Sequence, residues 1–395
     1  MAVKEIHKPA ETQEQNSPEK KHKKLRGYPL FVTVFIAVIV IINTTAVLSK
    51  SFSDFFMNHI FRAAAATTGR FSGMFPFSLG EVLITLGIVL IAAAVVISIL
   101  LIFLKRKQKY RRFVGRYMKS LLVIVLTVVL LYTFNCSIPY CSTMLNFAGG
   151  IREFDIDEFE AVRNYVVNEC NELAPKMKRS EDGTMIFDGD PDKYAISALQ
   201  GISGEFPRFK GYYPPAKSMW GSYYMYKSKI IGIYFPFSME ANYSKYVSDS
   251  YMPHVLAHEY AHLKGYIYES EANFMSFLAC INSEDDAVRY SGYLCVLSYI
   301  EDDYTNAVTD DRQNKQPQIS DLVKFDNTCY DRATWEYLKK RDEEKQQPKV
   351  AQVAENVGDK LTDAYMDAYS YEPNYSEVTL LMMQYYTEYG SFSVK

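Results

Sequence analysis

Between positions 258 and 274 the chain reads HEYAHLKGYIYESEANF, which sets two histidines and three glutamates within about five helical turns. Pro253 falls in a first turn that Asp249 or Ser250 could cap, so a helix is expected to run through Leu263. On that helix His258 and His262 are four residues apart. Their imidazoles therefore leave one face one turn apart, the spacing that lets both bind a single zinc ion. Glu259 lies beside them and can reach a water on that ion. In an HExxH arrangement the metal lowers the pKa of the water and the glutamate takes its proton before attack on a carbonyl.

Zinc in a catalytic site takes three protein ligands and keeps one open position. Of the six histidines, His7 and His22 precede the first apolar run and His59 lies between two such runs. His254 shares the helical face, but at 1.5 Å per residue it sits about 12 Å from His262, which makes it a supporting or surface residue rather than a ligand. The third ligand is thus expected to be a carboxylate. Gly265 offers a helix terminator, and ESEANF begins a second helix that can fold back on the first. Glu269 and Glu271 are the two candidates. Glu269 is favoured because Asn273, four residues on, shares its face and could hold a ligating histidine through its amide. Peptide hydrolysis also needs a donor for the developing oxyanion, which in a chain with 32 tyrosines and no spare histidine nearby is expected to be a tyrosine, with Tyr371 and Tyr375 as candidates.

The elements that must position these residues begin in a bilayer. Residues 29–48 and 82–104 carry no charge, and each reaches the roughly 20 residues needed to cross about 30 Å of hydrocarbon. Residues 121–134 are shorter, but extension to about 117–138 makes a third span. KKHKKLR before the first span and KRKQKYRR between the second and third place the amino terminus in the cytoplasm and everything after about Tyr140 outside. Residues 1–119 hold 18 Lys and Arg against 6 Asp and Glu, the remainder 25 against 40, a split that fits two environments. The expected organisation is a disordered cytoplasmic tail over 1–27, a membrane region over 28–140 and an extracytoplasmic domain over 141–395. The aromatic and alanine-rich stretch after Ser51 either lies among the headgroups or packs on that domain. All six cysteines fall on the outer side. Cys136 and Cys141 are near enough to pair, and no CxxC repeat suggests a structural zinc site.

Beyond Ile151 the periodicity is mostly helical, in segments starting near Arg152, Asp192, Glu284, Thr328, Lys349 and Glu372. One strand is expected, over 227–237, with a proline-directed loop over 212–220 before it. The strand is either a core strand or an edge that pairs with an extended peptide. The fold class is therefore mainly α (α+β), with a small sheet.

HEYAHLKGYIYESEANF, with GIYFPFSMEAN before it, resembles the bacterial membrane proteins grouped as domain of unknown function 3810, which show HE-x-AH, a following glycine and E-x-EANF. The likeness extends over the spans and through NYSEVTLLMMQYY. The motif is also similar to zincin peptidases with a glutamate ligand, although its gap from His262 to Glu269 is shorter than is usual there. That resemblance implies a zincin-like domain in which His258, His262 and Glu269 hold Zn2+ and Glu259 is the base. The expected function is a multi-pass cell-membrane zinc metallopeptidase acting on peptides or proteins of the envelope, with a non-catalytic zinc-binding sensor or assembly factor as the alternative. A transporter is disfavoured, since the apolar spans hold no ionisable pathway residue. Nucleic acid is excluded as a partner by the acidic outer domain, and lipid explains the basic flanks.

Overall fold

The structure is a computed structural model that describes residues 27–344 and 376–394. The amino-terminal tail, the helix expected from Lys349, and Tyr371 and Tyr375 lie outside the described residues.

Among the described residues, three helices are long and apolar enough to cross a membrane: α1 (Tyr28–Leu48), α4 (Leu79–Leu104) and α5 (Gln108–Tyr132), the last continued by a π turn, Thr133–Ser137, and a short helical turn, Ile138–Tyr140. The third begins nine residues before the expected start because the basic stretch ahead of the apolar run is already helical. Ser78 starts α4 by accepting the Glu81 amide at 3.2 Å. Between α1 and α5, Asn43 donates to Thr133 Oγ1 at 2.9 Å and accepts from Ser137 Oγ at 2.5 Å, the kind of polar contact that holds helices together where apolar surface is no longer selective.

The segment after α1 packs on the large domain rather than lying free. It forms α2 (Lys50–Phe55), a π turn (Phe56–Phe61) and α3 (Arg62–Ser72), and it buries Phe56, Met57 and Phe61 in the same apolar core as the helix bearing the two histidines. That core is otherwise built by helices Ile156–Leu173, Pro191–Gly201, Met252–Leu263, Glu269–Ile281, Asp286–Ala307 and Glu377–Tyr389.

Three strands make one sheet in the order β1 (Lys217–Met219), β3 (Glu240–Ser244), β2 (Gly232–Phe235), with β1 parallel and β2 antiparallel to β3. Only the centre of the expected strand 227–237 is extended. Its start ends a short helix, Ser222–Lys227, and Lys229 turns the chain with φ 55°. The expected loop 212–220 contains β1. The partner strand β3 was not expected from the sequence, because EANYS lacks the β-branched run that marks a strand.

A buried carboxylate ties this sheet to the second span. Glu240 accepts the amides of Leu79 at 3.2 Å and Gly80 at 2.9 Å, accepts Ser238 Oγ, and pairs with Lys217, whose ammonium also donates to the Ser72 carbonyl at 2.7 Å. Glu81 in turn accepts the amides of Trp220 at 2.9 Å and Gly221 at 2.7 Å. The free amides of a helix amino terminus attract anions, so the domain is bonded directly to the first turn of α4. Lys217→Met leaves Glu240 buried without its cation and is expected to destabilise the protein by about 3 to 5 kcal/mol. Thermal unfolding in detergent measures this, and an unchanged midpoint would remove the clamp.

Candidate metal centre

The helix Met252–Leu263 is anchored on both sides. Tyr260 on its inner face donates to Asp192 and to the Pro214 carbonyl at 2.9 Å, and the His254 amide donates to Ser291 Oγ at 3.2 Å. Neither expected cap is used. Asp249 accepts the Phe187 amide and Ser250 donates to the Asp326 carbonyl, while Pro253 removes one of the amides a cap would serve.

Gly265 ends the helix at φ 94°, a left-handed conformation that favours glycine, and a Cβ there would lie 2.8 Å from Met57 Cε. The Tyr266 amide returns to the Ala261 carbonyl at 3.0 Å, and after the short turn to Tyr268 the chain enters the helix Glu269–Ile281. The reversal sets Glu269 over the imidazoles. Its carboxylate oxygens lie 3.1 Å from His258 Nε2 and 3.5 Å from His262 Nε2, and one ligand atom from each of the three residues falls within 4.8 Å of the others. Tetrahedral zinc with ligands at about 2.0–2.1 Å places neighbouring ligand atoms roughly 3.3 Å apart, and each imidazole has one carboxylate oxygen near that separation, Oε2 for His258 and Oε1 for His262.

Hydrogen bonding aims the second histidine. His262 Nδ1 donates to the Tyr266 carbonyl at 2.8 Å, which assigns the proton to Nδ1 and leaves Nε2 for a ligand role. Asn273 does not support a histidine. Its amide donates to the Tyr299 hydroxyl at 3.4 Å, so the backbone of the turn does the work expected of a side chain. Glu271 points elsewhere, accepting the Leu145 amide at 2.5 Å, and burial pushes its carboxyl up to about 7. His254 is buried, only 6 % exposed, with its ring against Tyr251, and burial pushes its imidazole down to about 3. It is a core residue.

The three clustered residues form a strong field for positive charge. Burial alone would raise the Glu269 carboxyl, but the imidazoles of His262 and His258 outweigh it and hold it well below the usual carboxylate range. Burial would lower His262, yet Glu269 and Glu259 raise it to about 9. The same charges that bind this proton would favour a divalent cation, which must displace it. The side chain of Glu269 is 52 % exposed, so the cluster is open on its carboxylate side.

Glu259 is buried beside the cluster, and burial pushes its carboxyl up to about 7 against the pull of His258 and His262. One of its oxygens, Oε2, has no hydrogen-bond partner. The other fits against Gly232 of β2, where any Cβ would clash with the carboxylate. This contact was not legible in the sequence, where Gly232 was only part of a strand, although a glycine inside a strand is a recognised sign of close approach.

The chain matches the family described as a protein of unknown function (DUF3810) over residues 56–383. It belongs to that family. The DUF3810 match begins at Phe56, so it includes the segment that buries Phe56, Met57 and Phe61 as well as the cluster. No curated protein and no solved structure matches the chain.

His262→Ala and Glu269→Ala are each expected to weaken zinc binding at least about tenfold, while Glu271→Gln leaves it within about twofold. Titration of the purified full chain with zinc reads this. Equal losses for Glu269→Ala and Glu271→Gln would overturn the ligand set.

Proposed function

We propose that this DUF3810 protein is a membrane-anchored zinc metallopeptidase whose large domain lies outside the cytoplasm and acts on peptides or proteins of the cell envelope. The reading is carried by one observation: a buried glutamate with an unpartnered oxygen stands directly beside a cluster of two histidines and a glutamate. A site that merely stored or sensed a cation would need the cluster but not Glu259.

A zinc ion bound there would supply Lewis acidity toward a carbonyl and make a bound water acidic. Glu259 would supply the base, since its buried carboxylate beside the cluster has a free oxygen that can take a proton from that water and return it to the leaving amine. Gly232 keeps that carboxylate in place. As one of the two edge strands of the sheet, and the one that touches Glu259, β2 would offer backbone groups to an extended peptide alongside the cluster. Among the described tyrosines, Tyr299 bonds to Asn273, one helical turn from Glu269, and the Glu269 charge is among the causes, after burial and Cys295, that raise its hydroxyl. It is the proposed donor to the oxyanion. The basic flanks of the spans support the outward placement of the domain.

Glu259→Gln is expected to keep about one zinc per chain and to lower peptide cleavage by about 100-fold or more, and Tyr299→Phe to lower kcat with little change in KM. Cleavage of a randomised quenched-fluorescent peptide pool by the full chain in detergent tests both, and full activity in the glutamine variant would end the catalytic assignment. For orientation, Ser393→Cys should add labelling by a membrane-impermeant thiol reagent on intact cells beyond that of the native cysteines. Added labelling only after permeabilisation would place the domain inside.

A further inference from the structure

The metal cluster is tied to the ends of two spanning helices, which fixes its height above the bilayer. Tyr28 at the start of α1 donates to the Lys119 carbonyl of α5 at 2.9 Å, so these two positions share a level. At 1.5 Å per residue, about 30 Å of hydrocarbon is crossed in about 20 residues, which brings α1 to Leu48 and α5 to about Pro139. The opposite face of the bilayer therefore lies near Leu48 and Pro139.

Both flanks of the cluster meet that level. Tyr268, next to Glu269 in sequence, donates to the Tyr140 carbonyl at 2.5 Å, and its ring stands edge-on to that of Tyr140. On the other flank Asn135 of the π turn donates to the Pro236 carbonyl at 2.7 Å. Phe235 at the end of β2 packs so closely on Gly80 of α4 that a Cβ there would come within 2.7 Å of its ring. From Phe235 back to Gly232, which touches Glu259, is about 10 Å of strand. The cluster thus stands no more than about 10 to 15 Å from the hydrocarbon edge, next to a headgroup layer some 5 to 8 Å deep.

The surface around the junction is suited to lipid. Phe71, Phe75, Phe77 and Trp220 form a run of neighbouring rings beside the start of α4, ending in the stack of Phe77 on Trp220 at 5.8 Å. Trp220 is 71 % and Met74 70 % exposed. Aromatic side chains collect at membrane interfaces because an apolar ring and a polar edge are both accommodated there. Continuity with α4 identifies the occupant of this surface as the outer part of the bilayer. Because Glu240 and Glu81 bond the domain to the first turn of α4, it is not free to lift away.

We infer that the site takes polypeptides anchored in the same bilayer and cuts them within a few residues of the point where they emerge. This rests on the peptidase reading. A chain free in solution gains nothing from the placement, whereas an anchored chain presents its first extended residues, at about 3.3 Å each, at the height of β2.

The experiment uses the full chain reconstituted in phosphatidylcholine and phosphatidylglycerol vesicles. Its substrates are randomised quenched-fluorescent peptides, either free or carrying a dipalmitoyl anchor at one end or the other, with spacers of about 5 or about 30 residues. Anchored peptides with the short spacer should be cut at least about tenfold faster than free ones, and in the long-spacer form mass spectrometry should place the cuts within about 10 residues of the anchor. Free peptides cut as fast, or cuts placed without regard to the anchor, would overturn the substrate class while leaving the peptidase reading intact. Seating is read without turnover. The chain has two tryptophans, so Trp335→Phe leaves Trp220 as the only one. Its emission should be strongly quenched by lipid carrying a headgroup nitroxide, and absence of quenching would overturn the inference independently. Quenching as expected with no cleavage of any peptide would instead end the peptidase reading, and the substrate class with it.

Discussion

The reversal of the chain at Gly265 is the constraint on which the candidate site depends. A helix of ordinary geometry can place two histidines on one face, but it cannot place a third ligand opposite them. That requires the chain to stop within one residue and return. Gly265 does so at φ 94°, a conformation an L side chain resists, in a space closed by Met57 and Phe61 from the segment between the first two spans. The turn also yields the Tyr266 carbonyl that orients His262. A backbone conformation, an apolar contact from another part of the chain and the aim of a ligand are thus decided together.

Two carboxylates near the same imidazoles are driven in opposite directions. Glu269 reaches both rings, and although desolvation is the largest single effect on it, the attraction of the two imidazoles together wins and it stays ionised. Glu259 is enclosed by its helix and by Gly232, has an oxygen without a partner, and is raised to about 7 because desolvation wins over the same attraction. Separation of this kind lets one acid act as a fixed charge and the other exchange protons near neutral pH. It follows from position alone, since the residues are chemically identical.

How much of this could be read in the sequence varied with the range of the interaction concerned. Helical spacing determines that His258 and His262 share a face, and the three long apolar helices follow from hydrocarbon thickness, so both were legible. Glu269 faces the imidazoles as the sequence favoured, but not with the support expected, since Asn273 turns to Tyr299 and a backbone carbonyl takes its place. Carbonyls have no letter in a sequence. Gly232 against Glu259, and Glu240 on the amides of α4, join residues 27 and about 160 positions apart, and no local pattern announces such pairs. Strand β3 was missed for a related reason: its residues are chosen for the buried ion pair and the strands on either side of it, not for strand propensity.

The same long-range contacts connect the cluster to the helices that are long and apolar enough to cross a membrane. A domain hung on a flexible linker would sample many heights, and its site would meet soluble and anchored chains alike. Here the amides that begin α4 are consumed by Glu240, which also starts β3, and β3 pairs along its length with β2, whose first residue confines Glu259. Three direct contacts therefore lead from the first turn of α4 to the candidate base. Each step is short and buried or hydrogen-bonded, so tilting the domain away from α4 would strip the Leu79 and Gly80 amides from the buried Glu240 carboxylate in a place where water does not replace them. The resistance to such tilting is what would hold the proposed site at one height above a membrane.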